Sequence, residues 1–239
     1  MTAAPESKTA TGTFIPSAKT PMAKFSYDDP INTLIEAKRV AAVPRGYLGM
    51  SQMGHECSRY LYYVLHGKGS ASFSPRTMRI FERGTWEENR VIKDLDNVGL
   101  YVYNIQKEVS ILGGEVKGHI DGMVDWQARP HLLEIKTMAD TYWKLFARKG
   151  VKISHPGYYW QCQFYATELG VADIIFVAVN KNTEMRKFEH LKATGESCVD
   201  RAIEIIGAYE PPPRIGGCDW HVCKLCGLNE YCHFEDTSP

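Results

Sequence analysis

The decisive stretch reads Gly118-His119-Ile120-Asp121-Gly122 and then, a short interval later, Leu133-Glu134-Ile135-Lys136-Thr137. In a strand side chains alternate, so Glu134 and Lys136 share one face while Leu133, Ile135 and Thr137 take the other. Asp121 lies 13 residues before Glu134, near the end of the preceding strand predicted over 115–125, and a short hairpin sets the two carboxylates side by side. Carboxylates that close repel unless a cation lies between them. Hard oxygen ligands suit Mg2+ or Mn2+, which accept phosphate oxygens alongside one or two carboxylates. The competing reading of the same residues is a surface ion pair between Glu134 and Lys136 on a half-exposed hairpin.

Outward from this hairpin the pattern alternates helices and strands. Downstream, a strand covers 132–138, Pro156-Gly157 opens a helix over 158–169 capped by Gly170, and 173–179 has the unbroken apolar character of a buried strand. A strand over 187–192 pairs beside it, and a helix over 197–209 buries Cys198, Ala202, Ile205 and Ile206 before Pro211-Pro212-Pro213 breaks the chain. Upstream, 108–111 is a strand joined to 115–125 through a Gly113-Gly114 turn. A helix over 51–66, capped by Ser51, places Cys57 on its apolar side with Met53, Leu61 and Val64. A second helix, opened by Ser74-Pro75 and ending near Gly99, carries the inner stripe Met78, Phe81, Thr85, Glu88, Ile92 and Leu95. Glu88 interrupts that stripe, where burying an unpaired carboxylate costs on the order of several kcal/mol, and a metal partner would remove the anomaly. Residues 1–24 read as a disordered tail, leaving 25–239 as one domain.

The chain has 239 residues, 44% hydrophobic and 23% charged, an ordinary globular composition that excludes collagen, coiled coil and wholesale disorder. Twenty-eight basic residues balance 28 acidic ones, so a polyanion must be held by a local patch rather than by bulk charge. Arg59, Lys144, Arg148, Lys149 and Lys152 could supply a phosphate track, against a solvated face as the plain alternative. Tyr60, Tyr62, Tyr63, Tyr158, Tyr159 and Trp160 could stack bases, with half or more of them expected in the core. No apolar run approaches the roughly 20 residues of a membrane helix, and no secretory signal or transit peptide is evident, which makes the cytoplasm the expected location and a membrane no partner.

Seven cysteines are distributed unevenly, four of them within the last 22 residues. Cys223-Lys224-Leu225-Cys226, five further residues and Cys232 form a tight thiolate set that points to a metal. Its fourth ligand is open. Cys218, or His221 or His233 in its place, would make a local zinc knuckle, whereas Cys57 would make a long-range site, and spacing alone favours zinc. Cys162 and Cys198 read as core residues.

Gly118-His119-Ile120-Asp121-Gly122, Leu133-Glu134-Ile135-Lys136-Thr137 and Gln161-Cys162-Gln163-Phe164-Tyr165 together resemble the PD-(D/E)XK nuclease superfamily, in its RecB-like, CRISPR-associated and phage exonuclease branch. The resemblance spans roughly 45–235. It implies an α/β, restriction-endonuclease-like core with a mixed central sheet flanked by helices. It further implies that Asp121 and Glu134 bind Mg2+ or Mn2+ with help from the Ile135 carbonyl, and that Lys136 positions or activates water. Arg83-Gly84-Thr85-Trp86-Glu87-Glu88 looks like that branch's upstream helix motif, which makes Glu88 a further ligand with Glu87 as its substitute. Gln161 and Tyr165, four apart on one helix face, match the QxxxY motif associated with the active site and DNA. Cys57-Ser58-Arg59-Tyr60-Leu61-Tyr62-Tyr63 resembles the N-terminal segment of AddB-like and CRISPR-associated exonucleases, which implies that Cys57, Cys223, Cys226 and Cys232 hold a 4Fe-4S cluster, with structural Zn2+ the alternative if Cys218 is a ligand. The implied activity is exonucleolytic hydrolysis of DNA, single-stranded or with a single-stranded end, in phage or prokaryotic recombination, repair or processing. A homo-oligomer and a recombination partner protein are expectations from the family alone, as is a prokaryotic or phage-infected host cell. The rival readings are a non-catalytic zinc-knuckle nucleic-acid-binding module and an inactive nuclease-fold assembly subunit.

Overall fold

Strand pairing is governed here by where the apolar runs fall. In the computed structural model, which describes residues 46–68 and 75–235, the strands are β1 (Leu48–Gly49), β2 (Val102–Tyr103), β3 (Glu108–Ile111), β4 (Val116–His119), β5 (Gly122–Trp126), β6 (Arg129–Met138), β7 (Asp173–Asn180) and β8 (Arg186–Lys192). The helices are α1 (Ser58–Leu65), α2 (Pro75–Asn97), α3 (Asp140–Lys149), α4 (Val151–Ser154), α5 (Pro156–Leu169), α6 (Val199–Ile206) and α7 (His221–Lys224). The expected tail over 1–24, the segment that follows it to residue 45 and the Ser74 cap lie outside the described residues.

Five strands form one sheet in the order β2-β5-β6-β7-β8, antiparallel except for the parallel β6–β7 pair, and β1, β4 and β3 form a smaller sheet. The β6–β7 pair is the most deeply buried, as a parallel pair must be when helices cover both its faces. On one face Leu133, Ile135, Val177 and Val179 pack against Val91, Ile92 and Leu95 of α2. On the other, Leu132, Ile174, Phe176 and Ala178 pack with Trp143 and Phe146 of α3 and with Tyr159 and Cys162 of α5. This is the mixed, helix-flanked α/β core expected from the sequence. Pro156 starts α5, where its missing N–H costs nothing, and Gly170 ends it at a left-handed φ of 64°. No helix among the described residues is long and apolar enough to cross a membrane.

Several expectations need correction. The helix expected over 51–66 begins only at Ser58. Gly54 lies so close to α5 that a Cβ there would sit 3.1 Å from the Gly157 carbonyl oxygen, and the chain turns before helix can form. Cys57 is therefore the N-cap, its Sγ accepting the Tyr60 N–H at 3.4 Å, rather than a member of the apolar stripe. The strand expected over 115–125 breaks at Ile120–Asp121, so that β4 belongs to the small sheet and β5 to the large one. At the break the Ile120 N–H donates to the Lys107 carbonyl and the Asp121 carboxylate accepts from another strand. The inner stripe of α2 holds only in part: Ile92 and Leu95 are buried as expected, joined by Glu87 and Val91, whereas Met78, Phe81 and Thr85 are exposed and Glu88 is half-buried. Helix α3 was not anticipated, because only Trp143 and Phe146 of its ten residues are buried and they leave little periodicity to read. Helix α6 stops at Ile206, short of the expected 209.

Candidate active site

The sheet break puts an acidic residue at the start of β5. Gly122 pairs with Leu133, and one step beyond that pair Asp121 comes beside Glu134. The Ile135 N–H donates to Asp121 Oδ2 at 2.6 Å, fixing the carboxylate over the middle of β6. Glu134 is fully buried; its Oε1 accepts from Gln161 Nε2 at 2.8 Å and pairs with the Lys136 ammonium. Its Oε2 is buried with no hydrogen-bond partner among the described residues.

Glu88 reaches the same space from α2, where Gln106 Nε2 donates to its Oε1 at 2.5 Å. Burial, and then the charge of Asp121, raises Glu88 to about 7. Burial and Asp121 likewise raise Glu134, to about 8, and burial raises Asp121. Burial pulls the Lys136 ammonium down, but Glu134 and Asp121 outweigh it and hold it above its ordinary value. Lys136 Nζ also lies 5.5 Å from the centre of the Tyr158 ring.

Behind the ligand strand, α5 offers two buried polar residues on one side. Gln161 holds Glu134, and Tyr165 thrusts its hydroxyl against β4, where a Cβ on Gly118 would sit 2.2 Å from the Tyr165 oxygen. Burial, then the Glu134 charge, pushes the Tyr165 phenol up. Tyr165 is 1% exposed, which makes it a support for the Gly118-to-Asp121 stretch rather than a contact for a macromolecular ligand. Cys162 between them is buried, and burial followed by Glu134 raises its thiol well above the ordinary value, in keeping with a core role.

Glu87 and Glu88 point in different directions. Glu87 is fully buried and makes no hydrogen bond among the described residues; the guanidinium groups of Arg83 and Arg90 each lie 3.6 Å away. Those arginines also grip Glu184 at 3.3 and 2.8 Å, so Glu87 belongs to a clamp joining α2 to the β7–β8 turn. Glu88 faces the cluster.

Cys57, Cys223, Cys226 and Cys232 line one cavity together with Tyr60, Tyr63 and His55, and Cys218 does not line it. Backbone N–H groups of Tyr60 and Leu228 point at the sulfurs of Cys57 and Cys226, each at 3.4 Å. Burial, then Cys57, raises the Cys223 thiol, a repulsion that a bound cation would remove. Asn229 Nδ2 donates to the Cys218 and Cys223 carbonyls, and Arg214 to the Cys232 carbonyl, which folds the three C-terminal cysteines over α1.

The expected phosphate track survives in part. Lys144, Arg148, Lys149 and Lys152 are exposed on and just after α3. Arg59 is not: it is fully buried and donates to the Tyr63 hydroxyl and the Pro212 carbonyl. Tyr62, Tyr63 and Tyr159 are core residues, while Tyr60, Tyr158 and Trp160 are half-buried. Sequence reading passed over His131, Asp173 and His190, which the sheet register gathers on its other face. The available signal was the alternation of His190 and Lys192 along an edge strand, too common to single out.

By sequence the chain matches no protein-family model and no curated protein. By structure it is similar to SSO0001, at 16% identity and a TM-score of 0.50 over 85% of this chain and 93% of that one. It is also similar to an alkaline exonuclease, LHK-Exo, from Laribacter hongkongensis, at 14% identity and a TM-score of 0.50 over 69% of this chain and 86% of that one. At such identities the likeness establishes a shared fold alone, the mixed, helix-flanked α/β architecture described above.

Proposed function

We propose that this protein is a divalent-metal-dependent exonuclease that hydrolyses DNA phosphodiester bonds. One observation carries the reading. Three carboxylates, Glu88, Asp121 and Glu134, converge on the Lys136 ammonium; burial raises all three, and the charge of Asp121 raises Glu88 and Glu134 further. With all three ionised, two negative charges exceed the one ammonium, the complement of one divalent cation, and the buried Oε2 of Glu134, without a hydrogen-bond partner among the described residues, suits a ligand atom.

The residues fit Mg2+ or Mn2+, held by Glu88, Asp121, Glu134 and the Ile135 carbonyl. When bound, such an ion lowers the pKa of water and stabilises the charge that builds on the phosphorane. The protein's own groups do the rest. The Ile135 N–H and the Gln161 amide fix the two strand carboxylates at rest, so little reorganisation accompanies reaction. Lys136, charged and anchored on Glu134, offers a donor to the attacking water or to a phosphate oxygen. Lys144, Arg148, Lys149 and Lys152 supply exposed charge for the backbone of a DNA strand, single-stranded or with a single-stranded end. The cavity lined by Cys57, Cys223, Cys226 and Cys232 fits a structural 4Fe-4S cluster.

The test is degradation of end-labelled linear DNA by the purified chain with Mg2+, Mn2+ or chelator. Release of mononucleotides or short products from linear but not closed-circular DNA, only with metal, supports the reading. DNA binding without metal-dependent hydrolysis favours the assembly-subunit alternative instead.

A further inference from the structure

A second set of donors lies on the opposite face of the large sheet. His131 opens the buried part of β6, Asp173 is the first residue of β7, and His190 sits on the edge strand β8. The register places His131 opposite Asp173 and His190 opposite Ile175. His131 is an odd number of residues from Glu134 and Lys136, so the pleat turns it away from the carboxylate cluster. The ligand atoms of His131, Asp173 and His190 all lie within 4.8 Å of one another. His131 and Asp173 are each 4% exposed, which sets this group apart from a chance surface cluster.

The surroundings prepare these groups for a metal. His131 Nδ1 lies 2.9 Å from the Arg129 carbonyl, which can only accept, so Nδ1 is the donor and Nε2 is the ring nitrogen left to meet a metal. His190 Nε2 lies 2.7 Å from Asp173 Oδ1, aimed at the same point. Asp173 Oδ1 accepts from both the His190 imidazole and the Lys192 ammonium, which hold the carboxylate in place between them. The three residues open on a cavity of about 590 Å³ also lined by Trp126, Arg129, Phe188 and Lys192.

We propose that His131, Asp173 and His190 form a second metal site, which takes a zinc-class transition-metal ion through two imidazoles and one carboxylate and leaves its fourth position open to this cavity. Imidazole suits zinc, cobalt, nickel and copper better than magnesium, so ligand chemistry separates this site from the all-oxygen cluster across the sheet. Lys192 is the built-in competitor. Its ammonium pairs with Asp173, but the side chain is 64% exposed on an edge strand and swings into water when a metal arrives.

The test is titration of the full chain with Co2+ in excess Mg2+, followed by visible absorption. The site adds one equivalent with d–d bands and no accompanying thiolate-to-cobalt charge transfer. His190→Gln, on the exposed edge, should weaken that equivalent at least about tenfold, and His131→Gln should do the same if it folds. Lys192→Met should bind at least as tightly as wild type, and Glu134→Gln should leave the signal unchanged. Wild-type cobalt spectra from His190→Gln, or uptake that carries only the thiolate signature and is lost with Cys226→Ser, would overturn the proposal. Because Glu134→Gln abolishes the proposed DNA hydrolysis but not this signal, the two readings fail separately.

Discussion

Glu134 has one oxygen tied to Gln161 and Lys136 and the other left bare, an arrangement that makes sense when a cation completes it. Glu134→Ala, Asp121→Ala and Lys136→Ala should each give folded protein with DNA cleavage reduced at least about a hundredfold, measured as kcat/KM on end-labelled substrate. Wild-type rates in any two of them would remove the cluster from the chemistry. Glu88 and Glu87 separate by readout: Glu88→Ala should raise the Mn2+ concentration needed for half-maximal rate, whereas Glu87→Ala should lower the urea midpoint and leave that requirement alone. Gly118 makes a sharper case. With Tyr165 Oη 2.2 Å from where a Cβ would stand, Gly118→Ala overpacks the site and should destabilise the fold by about 1–3 kcal/mol. Tyr165→Phe in the same chain should recover part of that loss, and a double variant no better than Gly118→Ala alone would show that the clash lies elsewhere.

At the level of elements, the strand β6 was legible because its residues alternate cleanly and a charged pair on one face is unusual in so apolar a run. The strand β7 was legible from its apolar continuity, and the helix α5 from Pro156 and Gly170 at its two ends. The break between β4 and β5 was not. Nothing in Gly118-His119-Ile120-Asp121-Gly122 distinguishes one strand from two, because the break is imposed by the Ile135 N–H, which belongs to another strand. The α2 stripe was legible at Ile92 and Leu95 but not at Met78 and Phe81, which are exposed, and Glu87, expected only as a substitute for Glu88, is enclosed by Arg83, Arg90 and the β7–β8 turn. The α1 cap yields its own test. Cys57→Ala removes both the acceptor for the Tyr60 N–H and one wall of the thiol cavity, so it should lose soluble protein and any brown colour of anaerobic preparations together. Cys218→Ala should lose neither, and colourless protein with one zinc dependent on Cys218 would refute the iron–sulfur assignment.

Across the whole molecule, the carboxylate cluster makes stability depend on pH. Glu88 and Glu134 are raised to about 7 and about 8 when no metal is bound, so the folded chain holds protons that the unfolded chain, with carboxylates near 4.3, has released. Their contribution is full below the unfolded value and is lost as pH rises through the folded values. The urea midpoint of metal-free protein should therefore fall between pH 5 and about 8.5, Mn2+ should restore it at the upper end, and Glu134→Gln should flatten the slope. A wild-type slope equal to that of Glu134→Gln would show that the cluster does not titrate in this window. The thiol cavity is a global feature of another kind. Cys57 leaves the ribosome 166 residues ahead of Cys223, an interval on the order of 10–30 s at ordinary rates of translation. Its thiol spends that time without the companions that will enclose it, and a nascent chain stalled anywhere in between never acquires them. Only a chain translated through Cys232 can close the cavity, and a product truncated before Cys223 keeps Cys57 without the other three thiols that line it.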